Sequence, residues 1–169
     1  MELYRCRICG EAGFGADLPS HCPCCGATRP HIERAMDYEP TVLEDLSQKS
    51  RESLERLVEL TTENTGFFSG ASKVADQAEG KTLFAVLART EARHVAILCE
   101  LLGQELPEEL HEPGECSPAH KENIAEAHKR MERIINLSRR FCDEAGEERV
   151  RQVLGAFAET AADLLSFTQ

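Results

Sequence analysis

Two related stretches, Cys6-Arg-Ile-Cys9-Gly10 and Cys22-Pro-Cys-Cys25-Gly26, decide how the first part of this chain can fold. Each is a Cys-x-x-Cys-Gly turn, and twelve residues lie between Cys9 and Cys22. Such a turn aims two thiolates at one point, because the chain reverses after the first cysteine and glycine can adopt the positive φ that follows the second. Four sulfurs in a tetrahedron suit zinc or iron. The spacing therefore predicts one metal site with Cys6, Cys9, Cys22 and Cys25 as ligands.

The alternative use of these cysteines is a pair of disulfides in a secreted domain. The first residues, Met-Glu-Leu-Tyr-Arg-Cys, contain no apolar segment of the kind that a secretion signal needs. Cys24 adds a fifth sulfur to the second turn. We interpret it as a spare thiol, because Cys22 and Cys25 preserve the symmetry with the first turn.

Composition limits the remaining classes of protein. The chain has 169 residues, 41% of them apolar, with no tryptophan. No apolar run approaches the roughly 20 residues that a membrane span needs. We therefore expect a soluble, cytoplasmic protein with no membrane partner, in which the cysteines are thiols or thiolates and not disulfides.

The charge of the chain is unevenly distributed. The net charge is −11, yet residues 1–34 hold four arginines against four acidic residues, so the whole excess lies in residues 35–169. A cysteine-rich module that reads DNA or RNA is expected to carry a basic face. None is present in the sequence, and we expect no nucleic-acid partner.

The pattern after the cysteines is helical. It predicts a four-cysteine metal-binding module over residues 1–36 and four helices over residues 37–169, at about 41–78, 81–102, 117–145 and 147–168. The first helix would begin at the capping box Thr41-Val-Leu-Glu44, and glycines 80, 103 and 146 would end the first three. The first helix is also long enough to break near residues 47–53 or at Gly66 and Gly70. The links between the first and second helices and between the third and fourth are short, whereas the link between the second and third is long. This order predicts an all-α, ferritin-like four-helix bundle.

These features together resemble the rubrerythrin family. Tyr4-Arg-Cys-Arg-Ile-Cys-Gly and His21-Cys-Pro-Cys-Cys-Gly are similar to its rubredoxin-like module, which here precedes the bundle, as in rubrerythrins of reversed domain order. The resemblance implies a rubredoxin-type iron that passes electrons to a carboxylate-bridged di-iron site, where hydrogen peroxide is reduced. If the chain is an enzyme, the resemblance makes it an oxidoreductase of this peroxidase type.

A di-iron bundle needs a Glu on each of two helices and Glu-x-x-His on each of the other two. Only one such motif is present, Glu91-Ala-Arg-His94. Helical periodicity places Glu91 and His94 on the apolar stripe of the second helix, facing the core. They are the candidate catalytic and metal residues of the bundle. Without a metal, a proton shared between the two side chains could satisfy the buried pair.

The other positions do not complete the set. Val58 lies where the ligand of the first helix would be, and Glu126 and Glu159, although 33 residues apart as the family pattern asks, fall outside their apolar stripes. His128 lies near the inner side of the third helix and could join His94 at a mononuclear site. The di-iron site is therefore predicted to be degenerate, and a full site, a single metal at Glu91 and His94, and no bundle metal all stay open.

The second helix also carries a face of small residues opposite its apolar stripe. This face comprises Ala85, Ala88, Ala92, Ala96 and Cys99. It suggests close packing against a second copy, and rubrerythrins dimerise, so we expect a homodimer, together with a redox partner protein.

Two functions remain. One is an iron protein with an Fe(SCys)4 electron-transfer centre beside a bundle whose di-iron site is degenerate or lost. The other is a structural zinc knuckle on a non-catalytic helical dimerisation or docking scaffold. Sequence does not separate them, because iron and zinc both accept four thiolates.

Overall fold

The N-terminal part of the chain forms a small antiparallel sheet. The computed structural model describes residues 1–168, and in it β1 spans Glu2–Cys6, β2 Ala12–Gly15 and β3 Ile32–Arg34. The strand order is β2-β1-β3, with Leu3 opposite Phe14 and Arg5 opposite Glu33. This sheet is an addition to the predicted all-α class. It matters for the site because β1 ends at Cys6, so the first cysteine turn starts from a fixed strand.

Four α-helices follow, as predicted. They are α1, Gln48–Val74; α2, Ala78–Leu102; α3, His120–Glu144; and α4, Glu148–Leu165. α1 packs along α2 and α3 along α4, and the two pairs meet through α1 with α3 and through α2 with α4. No helix among residues 1–168 is both long enough and apolar enough to cross a membrane.

The first helix begins later than predicted. Thr41 and Glu44 lie in an irregular segment, and α1 starts at Gln48, with Ser47 as its N-cap. The Ser47 hydroxyl accepts a hydrogen bond from Ser50 N–H at 3.2 Å. Glu147 completes the cap, because its carboxylate accepts from Ser47 N–H at 2.7 Å and from the Ser50 hydroxyl at 2.5 Å. The start of α1 is therefore fixed partly by the residue that precedes α4.

The other helix boundaries also differ from prediction. α1 ends at Val74, and Gly80, predicted to stop it, lies inside α2. α2 does end before Gly103, which adopts φ 66°. α3 begins at His120 and not at residue 117, because Ser117 and Asn123 bond to each other in a turn: Ser117 N–H donates to the Asn123 side-chain oxygen at 2.9 Å.

Gly66 and Gly70 do not break α1. They let the long link between α2 and α3 lie directly on the helix, where Gly114 N–H donates to the Gly66 carbonyl at 2.8 Å. A Cβ at position 70 would overlap the Gly114 carbonyl oxygen. The glycines therefore serve close packing of this link and not a helix break.

One hydrophobic core joins the N-terminal sheet to the helices. The buried side chains of the sheet region, which include Tyr4, Ile8 and Ile32, belong to the same cluster as Leu87 and Phe157 of the helices. The cysteine module is therefore docked on the helical part and shares its core.

Candidate metal centre

The four predicted cysteines converge. The sulfurs of Cys6, Cys9, Cys22 and Cys25 all lie within 4.8 Å of one another. Cys6 Sγ is 3.7 Å from Cys25 Sγ, and Cys9 Sγ is 3.7 Å from Cys22 Sγ. A tetrahedral metal with metal–sulfur bonds of about 2.3 Å requires sulfurs about 3.8 Å apart, whereas a disulfide requires about 2.05 Å. The spacing fits a shared metal and not a disulfide.

The two turns that carry the sulfurs are built alike. Gly10 N–H donates to the Cys6 carbonyl at 2.8 Å, and Gly26 N–H donates to the Cys22 carbonyl at 2.9 Å. Gly10 has φ 71° and Gly26 has φ 77°, in the region where an L side chain is strained. Both glycines are therefore required by backbone conformation, as the sequence pattern predicts.

The environment of the sulfurs favours metal binding by thiolates. Cys6, Cys22 and Cys25 are buried, and Cys9 is partly exposed. Hydrogen bonding from the Cys25 thiol lowers the pKa of Cys22, and the same contact raises the pKa of Cys25. Four crowded thiols therefore cannot all ionise on their own. A metal cation that replaces the shared protons would remove this conflict, so metal binding releases protons.

Cys24 stands apart from the four ligands. It is partly buried and belongs to no sulfur cluster among the described residues. Burial, with a contribution from the nearby Cys9, raises the pKa of Cys24 to about 11. It is therefore a neutral thiol at pH 7, consistent with the interpretation as a spare cysteine.

Three side chains from the helices donate to backbone carbonyls of the module. Arg149 on α4 bonds the carbonyls of Arg7 and Ile8, each at 2.7 Å. On α2, Arg93 bonds the Cys9 carbonyl at 2.9 Å and His94 Nε2 bonds the Cys25 carbonyl at 2.8 Å. We call Arg93, His94 and Arg149 the helix donors. Together they hold both cysteine turns.

Arg149 and Arg93 were not predicted as site residues. Periodicity identifies the face of a helix that meets the other helices, but it carries no information on which flank a separate module covers. Burial lowers the pKa of Arg149, yet a guanidinium stays protonated in proteins. A positive charge is thus held against the first cysteine turn.

Glu159 lies between the helices and the module and not in the helix interior. Its carboxylate accepts from the Thr28 hydroxyl at 2.8 Å and lies 3.1 Å from His31 Nε2. One turn further along α4, Asp163 lies 3.1 Å from His21 Nε2. The structure therefore gives Glu159 a docking contact with the module.

Glu91 and His94 are both buried, in the inward orientation that periodicity predicts. His94 stacks on Phe157 with ring centroids 3.9 Å apart. Because a carbonyl only accepts, the bond to Cys25 places a proton on His94 Nε2, and Nδ1 faces Glu91 Oε1 at 3.7 Å. Glu91 has no hydrogen-bond partner within residues 1–168. The pair thus lies beneath the second cysteine turn, and its metal role stays a prediction.

The remaining candidates do not join this pair. Glu126 accepts a hydrogen bond from Arg130 at 2.8 Å, and Arg130 in turn lies over the ring of Phe67 on α1, so Glu126 lies on the flank of α3 beside α1. His128 Nδ1 lies 3.1 Å from the Thr168 hydroxyl, and its Nε2 is 3.7 Å from Glu132. Across the described part of the chain, the four cysteines are the one cluster of three or more potential metal ligands.

Comparison of the chain with protein-family models, with curated proteins and with solved structures finds no significant match. The geometry of the four sulfurs and the contacts around them are therefore the basis for any function assigned to this protein.

Proposed function

We propose that the four cysteines hold a rubredoxin-type Fe(SCys)4 electron-transfer centre, attached to a rubrerythrin-like, ferritin-like bundle whose di-iron site is degenerate or lost. The observation that carries the proposal is the 3.7 Å sulfur spacing at two edges of the cluster. It matches the about 3.8 Å that a four-thiolate tetrahedron requires. Iron in such a site changes oxidation state by one electron without a change of ligands.

The exposure of Cys9 supports electron transfer over a purely structural role. Cys9 and Gly10 line an open cleft of about 580 Å³ between the first cysteine turn, the segment before α1 and the end of α2. A redox partner protein that enters this cleft would approach a metal ligand directly. We propose this cleft as the edge through which electrons enter or leave.

Structural zinc on a non-catalytic scaffold is the second candidate, and a separate observation favours it. Ile8 and Cys6 of the module are almost fully buried in the core shared with the helices. A closed zinc site with four cysteine ligands would contribute folding energy at such a position. In that case the helices would serve dimerisation or docking.

Metal content separates the two candidates. The chain is produced with iron and zinc both available, and iron and zinc per chain are measured together with the visible absorption spectrum. One iron with a visible iron–thiolate band supports electron transfer, and one zinc without colour refutes it. Three irons per chain would restore a di-iron site and a peroxidase activity in the bundle.

Two serine variants locate the metal. Cys6→Ser removes a ligand and should lose most of the bound metal, while Cys24→Ser, its matched control, should keep the full amount. Equal metal loss in both variants would place Cys24 among the ligands and contradict the assignment.

We also propose a homodimer in the cytoplasm. The second helix presents Ala92 and Ala96 as partly exposed small residues beside the module, in a cavity of about 760 Å³. A second copy could approach closely there. Sedimentation of the parent chain and of Ala96→Glu tests this proposal: a dimer that the variant dissociates supports it, and a monomeric parent refutes it.

A further inference from the structure

Arg149 does more than dock the module, because one of its two acceptors in the module belongs to a peptide that includes the metal ligand Cys9. Its Nη2 donates to the Ile8 carbonyl at 2.7 Å. The same peptide group contains the amide N–H of Cys9. This peptide lies between the two metal ligands of the first turn, Cys6 and Cys9. With its second bond, to the Arg7 carbonyl at 2.7 Å, the guanidinium donates to both carbonyls that lie between these ligands.

Hydrogen bonds on the two sides of one peptide group strengthen one another. A donor on the carbonyl oxygen polarises the peptide and makes its N–H a stronger donor, and the effect is larger in a low-dielectric interior. A charged donor bonds roughly twice as strongly as a neutral one. Arg149 is partly buried and charged, so both conditions hold at the first cysteine turn.

The second cysteine turn provides an internal comparison. There the corresponding peptide joins Cys24 to Cys25, as the Ile8–Cys9 peptide does in the first turn. The carbonyl of that peptide belongs to Cys24, and no side chain among residues 1–168 donates to it. His94 bonds the next carbonyl, that of Cys25. Within the described residues, the first turn alone therefore has an arginine on the peptide that precedes its second cysteine.

We propose that Arg149 is a positioning residue of the four-cysteine centre, which holds the peptides between Cys6 and Cys9 and stabilises their thiolates by its charge and by polarising the Ile8–Cys9 peptide. This rests on the proposed metal centre and adds a residue to it. Outer-shell partners of metal ligands typically change metal affinity 10–100-fold when they are removed. For an iron centre, the added positive charge favours the reduced, more negative state.

The test compares Arg149→Met and Arg149→Lys with Arg151→Met. Arg151 is a suitable control because it also lies on α4 and also bonds two backbone carbonyls, those of Ala145 and Gly146, which are not part of the module. Metal release to an excess of chelator should be about 10–100-fold faster in Arg149→Met, intermediate in Arg149→Lys, and unchanged in Arg151→Met.

Two further measurements report on the peptide itself. In the zinc-loaded protein, the amide proton of Cys9 should move upfield in Arg149→Met, while the Cys25 amide proton stays in place. In iron-loaded Arg149→Met, the equilibrium constant for reduction of the iron should be about tenfold lower than in the parent. This corresponds to a reduction potential lower by about 59 mV for one electron. The Cys25 amide is the internal reference for the loss of the Arg149 bond, and the change in reduction potential, which a purely structural contact would not produce, reports the effect on the centre.

The outcomes keep this inference distinct from the proposed function. A parent chain that binds no metal overturns the metal centre and, with it, the role of Arg149. A parent that holds its metal, with Arg149→Met equal to Arg151→Met in release rate and in the Cys9 amide shift, overturns the role of Arg149 alone. If Arg149→Met fails to fold, Arg149→Lys decides by the same comparison.

Discussion

Gly26 and Gly10 offer a direct test of how tightly the cysteine module is docked on the helices. Both follow the second cysteine of a turn, and both have positive φ. They differ in surroundings: a Cβ at Gly26 would lie 2.6 Å from Thr160 Cγ2 on α4, whereas a Cβ at Gly10 meets nothing within 4 Å. Alanine at either position therefore costs backbone strain, but only at Gly26 does it also collide with a helix.

The two costs can be separated in magnitude. An alanine in the left-handed region costs about 1–2 kcal/mol. Overpacking against a well-packed neighbour adds about 1–3 kcal/mol. Gly10→Ala should thus destabilise the protein by about 1–2 kcal/mol, and Gly26→Ala by about 2–5 kcal/mol. For a chain of this size, each kcal/mol lowers the melting temperature by about 2–4 °C.

The assay is thermal unfolding with the metal in excess, measured for both variants and for Gly26→Ala combined with Thr160→Ser. Serine removes the colliding methyl group, so the double variant should recover most of the difference between Gly26→Ala and Gly10→Ala. Thr160→Ser alone completes the mutant cycle. Equal effects at Gly10 and Gly26, or no recovery with Thr160→Ser, would refute the docked arrangement.

Three further predictions concern the helix cap, the link on α1 and the spare thiol. Hydrogen bonds outweigh burial and lower the pKa of Glu147 to about 2, so its contribution is complete above the unfolded pKa of about 4.3 and is lost as pH falls towards 2. Urea unfolding at pH 6 should show that Glu147→Gln lowers the free energy of unfolding by about 1 kcal/mol. This difference from the parent should disappear as the pH is lowered towards 2. The control Glu148→Gln, at an exposed position, should change the free energy of unfolding very little. Gly70→Ala should destabilise by about 1–3 kcal/mol, whereas Gly146→Ala, where a Cβ meets nothing within 4 Å, should stay near the parent in the same assay. Mass spectrometry should show that alkylation of Cys24 in the metal-loaded protein is slow at pH 7 and accelerates towards pH 11, since burial raises its pKa to about 11. Fast modification at pH 7 would contradict this.

The sequence was informative where a local pattern carries the geometry. The Cys-x-x-Cys-Gly spacing predicted which four sulfurs converge, since each turn is formed by five neighbouring residues. The 3.6-residue period predicted four helices, and it placed Glu91 and His94 inside. It placed Glu126 outside the apolar stripe of the third helix, and in the structure Glu126 pairs with Arg130.

Prediction failed where a feature depends on residues far apart in sequence. The capping box at Thr41 is a valid local pattern, but the cap at Ser47 gains two hydrogen bonds from Glu147 and is the one that forms. Gly66 and Gly70 suggested a helix break. In the structure they instead make room for Gly114, which is distant in sequence and therefore invisible to a local pattern. The contacts of Arg149 and Glu159 with the module lie on helix flanks to which periodicity assigns no partner.

The helix donors recognise main-chain oxygens, which every residue type presents. Arg93 and Arg149 bond the carbonyls of residues 7, 8 and 9 whatever side chains stand there. The fit between module and helices thus depends on the path of the backbone, which the metal-bound cysteines and their glycines define. Exchange of the Arg7 side chain therefore leaves these bonds in place, whereas Cys6, Ile8 and Gly10 are fixed by the metal site, the shared core and a positive φ. The helix donors depend on the shape of the turn and not on the side chains it carries.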